Sequence, residues 1–137
     1  MAPFVIAPFF GWFVAGSLKF AINSVRARAP AYQQVGYGGM PSTHTTIVST
    51  TALLIGMREG WNTAPFAVAA ALAFVVMLDA VSLRGQIGAH ARALNSLMSD
   101  SSTGVSMRER IGHHWTEVLA GVVVGFGCAL CLAWIGH

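Results

Sequence analysis

The chain has 137 residues, of which 55% are hydrophobic and only 9% are charged. A soluble domain carries roughly a quarter charged residues; with far fewer, and a mean hydropathy of +0.62, this chain cannot coat a water-facing surface and reads as a small membrane protein. Its formal charge of +3 comes without a basic stripe or interleaved aromatics, which argues against nucleic acid as a partner and for a few cations kept beside a bilayer.

A membrane-spanning helix needs about 20 apolar residues. The first such segment covers residues 4–25. It lacks a basic leader and a small-residue cleavage site, so it reads as a retained helix and not as a signal peptide. Lys19 and Arg26 stand seven apart, two helical turns, and share one face with Asn23. An ionisable group within a span is costly and marks function by default; the alternative for Lys19 is snorkelling to the interface.

Residues 27–41 carry Arg, Pro and Gly and read as a structured loop. It leads into Gly38-Gly39-Met40-Pro41-Ser42-Thr43-His44. Gly38 and Gly39 allow the backbone to approach a ligand closely, and Pro41 suits the start of a helix. Free N–H groups at such a start attract anions, Ser42 and Thr43 add hydroxyls, and one of these can instead cap the helix. His44 can take up or release a proton near neutral pH. The second segment, residues 42–57, is rich in Thr, Ser and Ala and reads as a helix buried among helices.

After a short turn over residues 58–63, the third segment covers residues 64–83. Asp79 lies inside it and Arg84 closes it. An intramembrane carboxylate needs a cationic or hydrogen-bonding partner, and Asp79 is expected to orient a cation. The third connection, residues 84–111, contains a helix-compatible stretch over 86–97 with Ile87, Ala91 and Leu94 on one face, then a Ser-rich stretch over 98–104.

The fourth segment covers residues 115–135. His113 and Glu117 stand one turn apart at its start, where a carboxylate can fix an imidazole's tautomer and raise its basicity. His114 points elsewhere on a helix. Gly121, Gly125 and Gly127 suggest close helix contact, and the Gly121-x3-Gly125 spacing fits a small-residue interface, either within the chain or in a homodimer. Cys128 and Cys131 lie in an apolar helix with no His or Asp beside them and read as small hydrophobes. A metal held by His44, His113 and Glu117 is the alternative to an anion, but the surrounding cations favour the anion.

With four spans, the first and third connections share one side. That side holds Lys19, Arg26, Arg28, Arg84, Arg92, Arg108 and Arg110, seven of the eight Lys and Arg, and the positive-inside rule places it in the cytoplasm. The expected architecture is all-α: a single domain over residues 1–137, built as an integral-membrane bundle of four transmembrane helices with a short interfacial helix. Its polar motifs surround a cavity suited to a phosphate whose tail lies in lipid.

These motifs together resemble the type 2 phosphatidic-acid phosphatase superfamily, which also includes vanadium haloperoxidases. Lys19-x6-Arg26 resembles its first motif without the following Pro. Pro41-Ser42-Thr43-His44 resembles its Pro-Ser-Gly-His with Thr for Gly, and His113-x3-Glu117 resembles its His-x3-Asp with Glu for Asp. The similarity is nearer still to the divergent membrane branch, over nearly the whole length, through Gly-Gly-Met-Pro-Ser-x-His, the Asp79 to Arg84 stretch, Leu94-Asn95, and Gly112-His113 with Glu117-Val118.

The resemblance implies a metal-independent, cofactor-free phosphatase. His113 is then the nucleophile, Glu117 orients it, and His44 protonates the leaving alcohol and later activates water. Lys19, Arg26, Ser42 and Arg84 hold the phosphoryl oxygens, with Gly39 and Thr43 beside them and Asn23 and Asp79 in support. Arg108 is the other candidate for the third-motif arginine, one residue too near His113 for the usual spacing. The expected substrate is a lipid phosphate monoester, phosphatidic-acid-like or phosphatidylglycerophosphate-like. The rivals are an isoprenoid pyrophosphate phosphatase and a non-enzymatic lipid-phosphate-binding membrane protein.

Overall fold

A computed structural model describes residues 2–27, 39–98, 107 and 114–135. The described elements are all helical: α1 (Ala2–Ala27), α2 (Thr43–Glu59), α3 (Ala64–Val81), α4 (Leu83–Met98) and α5 (Trp115–Ile135). The first, second, third and last fall close to the four expected segments. Three stretches are long and apolar enough to cross a membrane: Phe4–Val25, the run Ala64–Met98 that contains α3, and Trp115–Ile135. α2, with 17 residues and a high Ser and Thr content, is not among them.

α2 forms the centre of the bundle and packs against α1, α3 and α5, and α1 also meets α5. Its run of β-branched Thr and Ile favours a helix weakly on its own. The hydroxyls turn back onto the helix: Thr46 Oγ1 donates to the Ser42 carbonyl at 2.9 Å, Thr50 Oγ1 to the Thr46 carbonyl at 2.7 Å, and Thr51 Oγ1 to the Ile47 carbonyl at 3.0 Å. This back-bonding satisfies the polar atoms without solvent, so a Ser/Thr helix can be buried among apolar neighbours.

Small residues allow the close approach. A Cβ on Gly11 of α1 would lie 2.7 Å from Thr50 Oγ1. A Cβ on Gly125 would lie 2.7 Å from Ser49 Cβ, and one on Gly121 would lie 2.8 Å from both the Ser42 carbonyl oxygen and Thr45 Cβ. The Gly121 and Gly125 pair therefore serves the α2–α5 contact inside the chain. Gly127, by contrast, meets nothing within 4 Å.

The two ends of the bundle differ. At one end, where α1 and α3 begin and α2 and α5 finish, Ala7, Leu54, Ala129 and Leu132 form an apolar core backed by Phe4, Phe10, Leu53, Met57 and Ala133. There Arg58 Nη2 donates to the Ala133 carbonyl at 2.8 Å, closing the C-terminus of α5. α2 stops at Gly60, whose φ of +103° only glycine adopts freely, and Trp61 folds back over Gly56, where a Cβ would overlap its ring. The other end holds the sequence motifs. Large apolar side chains point outward along the bundle, among them Phe9 and Phe13 of α1, Leu72 and Val75 of α3, and Val123 and Trp134 of α5, as expected of a surface in contact with lipid.

The third segment ends two residues earlier than expected. α3 closes at Val81, Ser82 separates the helices, and α4 starts at Leu83, so it takes in Arg84 and begins ahead of the expected 86–97 stretch. The Ser82 N–H still reaches the Leu78 carbonyl at 2.8 Å, and the Gln86 N–H reaches the Ser82 carbonyl at 3.2 Å, so the two helices meet without an intervening loop.

Candidate functional site

Ser42 is completely buried and caps α2. Its hydroxyl accepts from the Thr45 N–H at 3.4 Å and from Thr45 Oγ1 at 3.0 Å. Its own N–H donates to the Glu117 carbonyl of α5 at 3.0 Å. This bond depends on Gly121, since the Ser42 carbonyl occupies the space a side chain there would fill. The start of α2, the pole that attracts anions, is thus clamped to the first turn of α5.

α1 brings the charge. Lys19 is only 5% exposed, and its ammonium donates to Thr43 Oγ1 at 3.2 Å. Glu117 attracts it electrostatically. One residue each from α1, α2 and α5 therefore converges at this end of the bundle. A lysine so deeply buried needs such partners, because an isolated ammonium in apolar surroundings is strongly disfavoured.

One turn along α1, Asn23 faces the motif loop: a Cβ on Gly39 would stand 3.9 Å from Asn23 Oδ1. Gly39 has φ +92°, a left-handed conformation that glycine tolerates and other residues resist. His44 lies in the first turn of α2 and is exposed, Thr43 is half-buried, and Asp79 is half-buried near the end of α3. His114 is exposed immediately ahead of α5.

Of the sequence-predicted residues, the structure brings together Lys19, Thr43 and Glu117, with Ser42 beneath them and Asn23 beside Gly39. Gly38, Arg108 and the expected nucleophile His113 lie outside the described residues. Arg26 and Arg84 belong to α1 and α4, but their side chains also lie outside what is described. Two features escaped the sequence reading. The hydroxyls of Ser42, Thr46, Ser49 and Thr50 form a buried polar stripe whose spacing of three and four residues was visible in the sequence. The Asn95 carboxamide donates to the Met107 carbonyl at 2.6 Å and accepts from the Met107 N–H at 2.7 Å, fastening the third connection to α4; nothing local in the sequence signals that pairing.

The arrangement can hold an anion. It offers a helix N-terminus, a buried ammonium and a hydroxyl, with an exposed imidazole one residue away. Comparison with known proteins places the chain in a family. The family described as the Divergent PAP2 family matches residues 2–128. A relative from Bacillus subtilis (strain 168), described as uncharacterized membrane protein YuiD, is 29% identical over 113 residues, which cover 71% of this chain and 72% of the relative. No solved structure matches the chain. With a match over almost its whole length, the chain belongs to the Divergent PAP2 family.

Proposed function

We propose that this protein is an integral-membrane phosphatase that hydrolyses a lipid phosphate monoester through a phosphohistidine intermediate. The observation that carries the reading is the convergence of Lys19, Thr43 and Glu117 at the clamped start of α2. A phosphate monoester carries its negative charge on oxygens that a buried ammonium and a helix N-terminus stabilise together. Its acyl chains can lie against the apolar outer surface of the helices.

In this reading an imidazole nitrogen of His113 attacks phosphorus, the bond from phosphorus to the alkoxy oxygen breaks, and His44 donates a proton to the departing alcohol. His44 then takes a proton from water, the hydroxide oxygen attacks the phosphohistidine, and inorganic phosphate leaves as the His113–phosphorus bond breaks. Glu117 orients His113. Lys19, Arg26 and Arg84 meet the phosphoryl oxygens together with the Gly39 to Thr43 backbone. Ser42 acts through the helix start it caps. Asn23 and Asp79 hold the loop and a cation in place. The site faces the cytoplasm, which labelling of Ser101→Cys from either side of sealed vesicles checks.

The test is phosphate release by detergent-purified protein, with chelator present, across lipid monophosphates and isoprenoid pyrophosphates, beside His113→Ala and His44→Ala. Release from monophosphates that is lost in both variants is the expected result. Release confined to the pyrophosphates would transfer the chemistry to that substrate class. A second reading, lipid-phosphate binding without turnover, draws on Lys19 already being engaged by Thr43. Bound lipid phosphate that survives long incubation unhydrolysed would favour it, and steady turnover would end it.

A further inference from the structure

Among the described residues, α4 touches α3, from whose end it springs, and none of α1, α2 or α5, while its Gly88 and Ala91 are buried. Leu83, Ile87, Leu94 and Leu97 recur at helical spacing along one side of it, with the exposed His90 between them, and all four are exposed, Leu97 to 77%. Arg92 and Ser96 stand on the opposite side and are also exposed. The helix contains Arg84, His90 and Arg92 and no carboxylate.

Length decides where this surface lies. The 18 residues of α3 already rise about 27 Å, close to the roughly 30 Å of a bilayer's hydrocarbon core. With α4 added, the 35-residue run Ala64–Met98 would reach about 52 Å, so α4 lies beyond the core. In water its leucine stripe would be unfavourably exposed. A helix with an apolar stripe, Arg92 on the opposite side and no acid matches an interfacial helix lying in the headgroup layer.

We propose that α4 docks on the surface of an anionic phospholipid leaflet. Leu83, Ile87, Leu94 and Leu97 enter the acyl boundary, and Arg92 meets the lipid phosphates. α3 ends where α1 ends and where α2 and α5 begin, so this helix gathers anionic lipid at the same end of the bundle as Lys19, Thr43 and Glu117. The inference rests on the fold and stands whether or not the site turns over substrate.

The experiment uses the full chain in nanodiscs of phosphatidylcholine, or of phosphatidylcholine mixed with phosphatidylglycerol. Spin labels are placed at Leu94→Cys or Ser96→Cys in a Cys128→Ala, Cys131→Ala background. In the anionic discs the label at 94 should collide with oxygen and be shielded from an aqueous nickel chelate, and the label at 96 should do the reverse. Shielding at 94 should weaken in pure phosphatidylcholine. In anionic discs, Arg92→Gln should lower the ratio of shielded to exposed label about fivefold, the effect of one cation at a charged surface. The proposal is overturned if position 94 is as open to the chelate as 96, if lipid charge makes no difference, or if dipolar coupling shows a second copy covering the stripe. Hydrogen exchange on the unsubstituted chain provides a label-free check: α4 amides should exchange more slowly in the anionic discs, and equal rates in both lipids would also overturn it.

Discussion

The backbone N–H of Ser42 donates to the carbonyl oxygen of Glu117 across 3.0 Å, joining the residue that caps α2 to the first turn of α5. Gly121 makes the bond sterically possible. A Cβ at that position would lie 2.8 Å from the Ser42 carbonyl, so Gly121→Ala should push the two helices apart. The expected loss is about 1–3 kcal/mol, the usual cost of forcing a methyl group into a packed contact, read as a lower melting temperature in detergent together with weaker phosphate release. Gly127→Ala is the control: it adds the same methyl where nothing lies within 4 Å, and should leave both readouts within error.

The Lys19–Thr43 hydrogen bond predicts a coupling. Thr43→Val keeps the side-chain shape and removes the oxygen that accepts from the buried ammonium. It should destabilise the protein by about 1.5–3 kcal/mol, the range for a hydrogen bond to a charged group. With Lys19→Met already in place, the same substitution should cost less than about 0.5 kcal/mol, since no ammonium remains to be stranded. A thermal double-mutant cycle measures the difference, and equal costs in the two backgrounds would show that the bond contributes nothing.

Arg58 separates the two ends of the bundle. Its Nη2 donates to the Ala133 carbonyl at 2.8 Å, where the helix dipole of α5 is negative. Arg58→Ala should therefore cost roughly 1.5–3 kcal/mol of stability. Binding of a phosphate analogue such as vanadate should be unchanged, because the site is built at the other end. A variant that melts lower and also loses vanadate inhibition would show that the ends are coupled.

Asn95 makes its two bonds to Met107 in opposite senses, one as donor and one as acceptor. Asn95→Asp keeps an acceptor and removes the donor, and Asn95→Ala removes both. Exchange of the Met107 amide hydrogen should be accelerated most by Asn95→Ala and less by Asn95→Asp. With each neutral bond at the surface contributing about 0.5–1.5 kcal/mol, the melting temperature should move only slightly. Equal exchange in all three proteins would show that the pairing does not hold the connection in solution.

Hydropathy is additive along the chain, so the amino-acid sequence determined the helical membrane class, the approximate limits of each apolar segment and the gathering of Lys19, the Gly39 to His44 turn and Glu117 at one end. The Ser/Thr content of α2 likewise signalled a helix enclosed by others, because unshielded hydroxyls suit lipid poorly. Only the tertiary structure decided which faces meet. In a membrane helix that is apolar nearly all round, periodicity does not mark the packed side, so Gly121 and Gly125 read equally well as a dimer contact or an internal one. Their placement against Ser42, Thr45 and Ser49 selects the internal contact. Lys19 and Asn23 followed from spacing along one helix, but the partnership of Lys19 with Thr43 and Glu117 depends on how three helices rotate about their axes, and that rotation is set by close packing of small residues across the bundle.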